Sequence, residues 1–306
     1  MSFWRQLKSI KFTMNENAAN SDLLKEITPQ EREDLQACMF KVYLDIKSVC
    51  DEYNYPLFLV EGSAIGVVRH KGFIPWDDDI DLAMMRSDYE KFKTIFEERL
   101  GEQYILNSPN YSDNARDRYP IVLVKDSYYK RLIDPRDISL HKIPIDIFIV
   151  DNVPNNRIVR KIKGLYCNFL EFIAGQVYLR ENTNEDVKKY LCKNGTLVYN
   201  IRMIIGFLFS FHSAAKWFDI IDKAIQCKDE NSNDCGILTA RGHYFKEILP
   251  RGAVFPPSEG ICNNEKVHLF HDVDLYLRTL YGNYMEIPPV EKRERHFFCD
   301  LKIPKW

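Results

Sequence analysis

A chain of 306 residues with 45% hydrophobic and 28% charged content has the composition of a globular protein able to bury a sizeable core, which excludes a disordered or fibrous chain. Its 42 basic and 44 acidic residues leave a net charge of -2, so nothing draws it globally to nucleic acid, and a charged partner has to be recognised locally. The eight cysteines, at 38, 50, 167, 192, 227, 235, 262 and 299, contain no Cys-x-x-Cys pair; they indicate neither a disulfide framework nor a zinc site and point to a cytoplasmic setting.

Residues 1–27, opening MSFWRQLKSIKFTMNENAAN, lack the unbroken apolar core of a signal peptide and are expected to form a polar, amphipathic segment ahead of one domain over 28–306. Thr28-Pro29-Gln30-Glu31 predicts a capping box. Leu35, Cys38, Met39, Val42, Ile46 and Val49 follow it at helical spacing, so a helix with one buried face begins here. PLFLV, Pro56 to Val60, reads as a short buried strand that Glu61-Gly62-Ser63 breaks before the run AIGVVRH, giving strand, glycine turn and short helix. Gly72 and Pro75 bracket a turn. DIDLAM, Asp79 to Met84, then alternates acid and apolar residues as a half-buried strand does, which would set Asp79 and Asp81 on one face. Ser87-Asp88-Tyr89-Glu90 predicts a second capping box, leading a helix that carries Phe92, Ile95, Phe96 and Leu100.

Two more strands are expected at Tyr119 to Lys125 and Lys142 to Val150; the second is apolar on both faces except for Asp146, as a central strand holding a buried acid would be. From about 156 to 227 the pattern turns helical, and from Gly236 the chain is loop-rich. The most apolar run, Met203 to Phe211, falls well short of the ~20 residues that span a bilayer.

FIPWDDDIDLAMM, Phe73 to Met85, crowds four aspartates into an apolar frame. Two carboxylates about 4 Å apart repel by roughly 4 kcal/mol at an effective dielectric near 20, so the crowding calls for compensation, and a divalent cation is the simplest one. Oxygen ligands without histidine or thiolate select Mg²⁺ or Mn²⁺. Three other readings stand beside this one: a solvated acidic loop, a salt bridge for Asp146, and a helical Asp-Asp-x-x-Asp diphosphate motif at Asp77, Asp78 and Asp81. Pro75 and the strand alternation argue against the last. Gly62-Ser63 would let backbone N–H groups approach a phosphate, with the basic trio Arg69, His70 and Lys71 following.

A Gly-Ser turn, then Asp-x-Asp on one strand, then a lone Asp on a later strand resembles the active-site layout of the nucleotidyltransferase (polymerase β-like) fold. The longer string EGSAIGVVRHKGFIPWDDDIDLAMMRSDYEKF, Glu61 to Phe92, is similar to the LicD family, the phosphocholine-transferase group that includes the fukutin-related proteins. The resemblance continues at VKDSYYK (Val124 to Lys130), IPIDIFIVD (Ile143 to Asp151) and YLRTLYGNYMEIPPVEKRERH (Tyr276 to His296). It implies an α+β fold with a mixed β-sheet flanked by helices, a helical insertion over about 156–227 and a loop-rich C-terminal segment.

The same resemblance implies that Asp77, Asp79, Asp81 and Asp146 hold Mg²⁺ or Mn²⁺, with Asp79, Asp81 and Asp146 catalytic, Asp146 the candidate general base, and Asp78 pointing away. Gly62 and Ser63 would cradle the nucleotide diphosphate, and Arg69, Lys71 and Lys125 would neutralise it. The chain departs from the family's Tyr-Gly-Asp-Tyr at Asn283, which leaves a charge role there without support. Tyr281 and Tyr284 read equally well as core aromatics, and His296 as a surface histidine.

The implied chemistry is transfer of a phosphorylated small alcohol, phosphocholine or an alditol phosphate, from a CDP-linked donor (CDP-choline or a CDP-alditol) to a hydroxyl of a cell-surface glycan or its lipid-linked precursor, such as a lipopolysaccharide or teichoic acid, with release of CMP. Two alternatives remain, a true nucleotidylyltransferase and a non-catalytic nucleotide-binding protein. Arg157 to Phe218 pairs basic residues with apolar stretches, so peripheral contact at the inner face of a membrane is expected beside the simpler reading that these helices pack on the sheet.

Overall fold

Thr28 caps the first helix as the sequence predicts: its Oγ1 accepts from the Glu31 N–H at 3.2 Å while Glu31 Oε2 accepts from the Thr28 N–H at 2.9 Å. The helix that follows, α1 (Pro29–Glu52), buries Leu35, Cys38, Met39, Val42, Ile46 and Val49 along one side. The computed structural model describes residues 24–192, 196–229, 231–240, 242–293 and 297–305. Most of the expected N-terminal segment and His296 lie outside them.

The main sheet and the helices around it comprise β1 (Phe58–Leu59), α2 (Glu61–Ile65, continued as a wider turn to His70), β2 (Asp81–Met85), α3 (Arg86–Leu100), β3 (Tyr104–Asn107), β4 (Ile121–Val124), β5 (Pro144–Asn152), α4 (Arg157–Asn182), α5 (Glu185–Leu191), α6 (Leu197–Leu208), α7 (Ala214–Ile225), β6 (Asp234–Ile237), β7 (Ile248–Pro250), β8 (Ser258–Cys262), β9 (Glu265–Leu269) and α8 (Val273–Tyr281). Nine strands form one mixed sheet in the order β8-β9-β1-β2-β5-β4-β3, with β6 joined to β5 and β7 to β6. The pairs β9–β1 and β2–β5 run parallel and the others antiparallel. The fold is thus a mixed α/β arrangement. Residues of α1 and α3 share one core with the sheet, including Val42, Ile46, Phe92 and Phe96 against Leu82, Val122 and Ile147.

Two local expectations are corrected. The strand carrying the acids begins at Asp81, two residues later than the alternation suggested, so Asp79 lies in the preceding loop. Ser87 does not cap α3: the chain passes from β2 straight into the helix, Met85 takes the N-cap position without a side-chain bond, and Arg86 opens the first turn.

The region expected to be helical contains α4 to α7. Of these, α4 and α7 bury Cys167, Leu170, Ile173, Val177, Trp217, Phe218 and Ile221 in a second core. Arg86 ties this layer to the sheet, donating to both oxygens of Asp151 at 2.9 and 2.7 Å and to Asp222 of α7 at 2.8 Å. Among the described residues no helix is long and apolar enough to cross a membrane.

Candidate active site

Asp81 and Asp146 are directly opposed across the parallel pair β2–β5, and this register brings two acids from distant parts of the chain to one place. The loop before Asp81 is held from two sides. Ser63 Oγ accepts from the Asp81 N–H at 2.9 Å, and Gln36 Nε2 of α1 donates to the Asp77 carbonyl at 2.7 Å. Gly62 lets α2 approach the acids, since a Cβ there would sit 2.9 Å from Asp77 Oδ2 and 4.0 Å from Asp81 Oδ2.

Asp77, Asp79, Asp81 and Asp146 line one cleft of about 730 Å³. Asp78 is buried and lies outside the lining, although one of its oxygens is within 4.8 Å of oxygens of Asp77 and Asp79. Burial holds the Asp81 carboxyl well above its usual range, and the charges of Asp79, Glu61, Asp146 and Asp77 add to that. Burial likewise pushes Asp146 up to about 7, helped by Asp117 and Asp79 and opposed by the Tyr119 hydroxyl, which donates to Asp146 Oδ2 at 3.1 Å. Like charges crowded in a part-buried place are raised in this way until a cation offsets them. The donor set consists of carboxylate oxygens with no sulfur or imidazole among the four, which suits Mg²⁺ or Mn²⁺ rather than zinc.

The opposite wall comes from the last part of the chain. Tyr281 at the end of α8 donates its hydroxyl to Glu61 Oε2, and the Tyr276 hydroxyl accepts from the Glu61 N–H at 3.2 Å. Behind them Glu247 is pushed far above the usual carboxylate range by burial and by the neighbouring Glu61. Arg69 Nη1 donates to the carbonyls of Tyr284 at 2.6 Å and Glu286 at 3.2 Å, strapping the 284–286 backbone across the cleft. The Arg293 guanidinium stacks 4.0 Å from the Trp76 ring centroid. Arg118 completes the set of cations in the lining with Arg69, Lys292 and Arg293; its Nε donates to the Thr239 carbonyl at 2.8 Å and lies 3.8 Å from Glu171 Oε1 of α4.

Of the residues expected at the site, the fold brings Gly62, Arg69, Asp77, Asp79, Asp81 and Asp146 together in the cleft. Ser63 sits behind it, with its hydroxyl oxygen on the Asp81 amide. Lys71 and Lys125 are placed elsewhere. Lys71 is the exposed left-handed residue that ends the turn after α2, and Lys125 Nζ donates to the Gly101 carbonyl at the end of α3. Sequence reasoning passed over Glu61, Arg118, Tyr119, Lys292 and Arg293. The stretch NARDRYP offered a cue, because two arginines immediately before a buried strand are unlike a solvated loop.

Residues 54–156 match the family model described as LicD/FKTN/FKRP, nucleotidyltransferase domain. The chain is 26% identical over 292 residues to the lipopolysaccharide cholinephosphotransferase LicD of Haemophilus influenzae, covering 92% of this chain and 100% of that one. It is also 32% identical over 57 residues to the uncharacterized protein RT0683 of Rickettsia typhi, 19% of this chain and 18% of that protein. A solved structure of Cid1 with the UTP analogue UMPNPP aligns with 96% of this chain and 69% of that one at 12% identity, with a TM-score of 0.25, too low to bear on the fold. The domain match spans every acid of the cleft floor and the LicD alignment runs the full length of that relative, so the chain is similar to the LicD family both at the site and over most of its length.

Proposed function

We propose that the protein is a Mg²⁺-dependent transferase with a nucleotidyltransferase-type fold, moving phosphocholine or a related phosphorylated small alcohol from a CDP-linked donor to a hydroxyl of a glycan, with CMP as leaving group. The observation that carries this reading is the facing pair Asp81 and Asp146, joined in one cleft by Asp77 and Asp79 and walled by four cations. A cleft with an acidic floor and cationic walls suits a metal-bound diphosphate. The name of the Haemophilus relative, a lipopolysaccharide cholinephosphotransferase, supports the group and the acceptor class.

A divalent cation bound by the four aspartates would offset the negative charge of the diphosphate. The chain's own residues do the rest. Arg69, Arg118, Lys292 and Arg293 face the donor's anionic oxygens. Asp146, oriented by Tyr119, takes the proton of the attacking hydroxyl as the new O–P bond forms at the β-phosphorus and the bond to CMP breaks. Tyr281 and Tyr284 supply aromatic surface to the same cleft, suited to an alkylammonium head group.

Incubating the purified protein with CDP-choline, CDP-ribitol, CDP-glycerol or CDP-ethanolamine and a glycan acceptor, with and without Mg²⁺, tests the reading. Metal-dependent CMP release with one donor is the expected result. Transfer of the nucleotidyl group to the acceptor would instead identify a nucleotidylyltransferase, and absence of turnover with every donor would leave a binding protein.

A further inference from the structure

Helix α4 is apolar on two sides. One side packs on α7 through Leu170, Ile173 and Val177, while the other presents Ile158, Ile162, Leu165 and Phe169, each 54% to 72% exposed. Their spacing of four, three and four residues places them in one stripe roughly 16 Å long. Helix α6 runs antiparallel beside α4: Tyr199 Oη is 3.1 Å from Thr183 Oγ1 near one end, and a Cβ on Gly206 would lie 2.5 Å from the Gln176 carbonyl further along. Its exposed Ile204 and Leu208, with Phe211 just beyond, form a second stripe. The two stripes meet where the Phe169 ring lies 6.4 Å from Phe209, which is 6.1 Å from Phe211. An exposed apolar band of this continuity marks a contact surface rather than chance.

The charge around the band selects its partner. No Asp or Glu occurs from Arg157 to Leu170 or from Leu197 to Phe218, while the same stretches hold six basic residues, at 157, 160, 161, 163, 202 and 216. The structure sorts these six. Arg160 pairs with Asp234 at 2.7 Å, Lys163 donates to the Gln226 carbonyl, Arg202 is buried against Gln176, and Lys216 pairs with Asp219 at 3.3 Å. Arg157 and Lys161 are exposed, one residue from Ile158 and Ile162 along the edge of the stripe. Large apolar side chains flanked by cations, with no acid in either stretch, match the acyl and headgroup layers of an anionic bilayer.

We infer that the face formed by α4 and α6 docks on an anionic membrane surface, burying the apolar band in the interface with Arg157 and Lys161 at headgroup level. This placement stands on the surface itself and holds whichever group the enzyme transfers. It has a geometric corollary, because Glu171 on another side of α4 reaches Arg118 in the cleft wall at 3.8 Å. The docking face and the contact with the cleft wall therefore belong to different sides of one helix.

Co-sedimentation of the full chain with phosphatidylcholine vesicles, and with vesicles containing a quarter phosphatidylglycerol, tests the inference. Recovery is expected with the anionic vesicles and to fall as salt is raised. Replacing Arg157 and Lys161 by glutamine should weaken partitioning by roughly 30-fold, two basic contacts' worth. The triple variant Ile162→Ser, Leu165→Ser, Phe169→Ser should abolish it while the circular dichroism spectrum and melting temperature stay close to those of the parent. Equal recovery with neutral vesicles, or wild-type binding by the triple variant, overturns the inference. So does light scattering that finds a dimer dissociated by the triple variant, which would assign the face to a second copy of the chain.

Discussion

Asp81 faces Asp146 across two parallel strands, with 64 residues between the two acids in sequence, and neither acid has a basic residue as its directly opposed strand partner. Carboxylates placed this way are held against their own repulsion by the ladder of the sheet. Removing one should therefore help the metal-free fold and harm the chemistry. Asp81→Asn and Asp146→Asn are each expected to lower CMP release at least 100-fold, on the order of losing a principal charge-stabilising group. Both should raise the metal-free melting temperature by about 2 °C or more. Calorimetry without Mg²⁺ checks the second half, and a lower melting temperature in both variants would refute it. Asp78→Asn, outside the cleft lining, is expected to cost less than about tenfold in turnover.

The raised carboxyls give stability a direction with pH. Asp146 stands at about 7 when folded against an ordinary value of 3.8, so between those values the native state holds more protons than the unfolded one. The stabilisation is full below the ordinary value and is lost as pH rises through about 7. Asp81 and Glu247, both raised, act with the same sign. The metal-free melting temperature is expected to fall from pH 5 to pH 8, and saturating Mg²⁺ should reduce the slope. A melting temperature that rises over this interval, or a slope unchanged in Asp146→Asn, would contradict the assignment.

Gly62→Ala tests the close approach of α2 to the acids. The added Cβ would sit 2.9 Å from Asp77 Oδ2, so the carboxylate has to move. The concentration of Mg²⁺ giving half-maximal activity is expected to rise about tenfold, on the scale of disturbed ligand orientation. Gly175→Ala, where nothing lies within 4 Å of the new carbon, is the matched control and should stabilise α4 by up to about 1 kcal/mol. Similar metal titrations for the two variants would show that Gly62 is not a spacing device.

Arg86→Met should be costly although Arg86 lies outside the cleft lining. Asp151 is buried and its two oxygens are bound by the same guanidinium, so the substitution strands a carboxylate. Breaking a buried pair from one side costs about 3–5 kcal/mol. Urea unfolding followed by tryptophan fluorescence, which includes Trp217 in the core of the α7 layer, would register it; a loss under 1 kcal/mol would mean that α7 docks without Arg86.

The parts of the site that could be read in advance are those whose local pattern conflicts with their charge. Asp146 interrupts an otherwise apolar strand, and the acids from Asp77 to Asp81 interrupt an apolar frame, so each announces a compensating partner from sequence alone. Glu61, Lys292 and Arg293 carry no such conflict. Each lies at the edge of an ordinary turn or helix and acquires its place only when remote segments meet. Lys71 and Lys125 lie outside the cleft lining for the opposite reason: each follows directly on an element of the site, but Lys71 sits in the left-handed turn after α2 and Lys125 is engaged by a carbonyl at the end of α3. The expected cap at Ser87 was lost to Arg86, whose pairing with Asp151 and Asp222 fixes where α3 starts.

The bond from Tyr281 to Glu61 closes a loop of 220 residues. A ribosome adding roughly 5–20 residues per second makes the two partners about 11 to 44 s apart, and β9, the last strand of the main sheet in chain order, ends only 12 residues before Tyr281. The cleft lining is drawn from residues as far apart as Glu61 and Arg293, so a chain shortened before α8 lacks Tyr281 and its bond to Glu61.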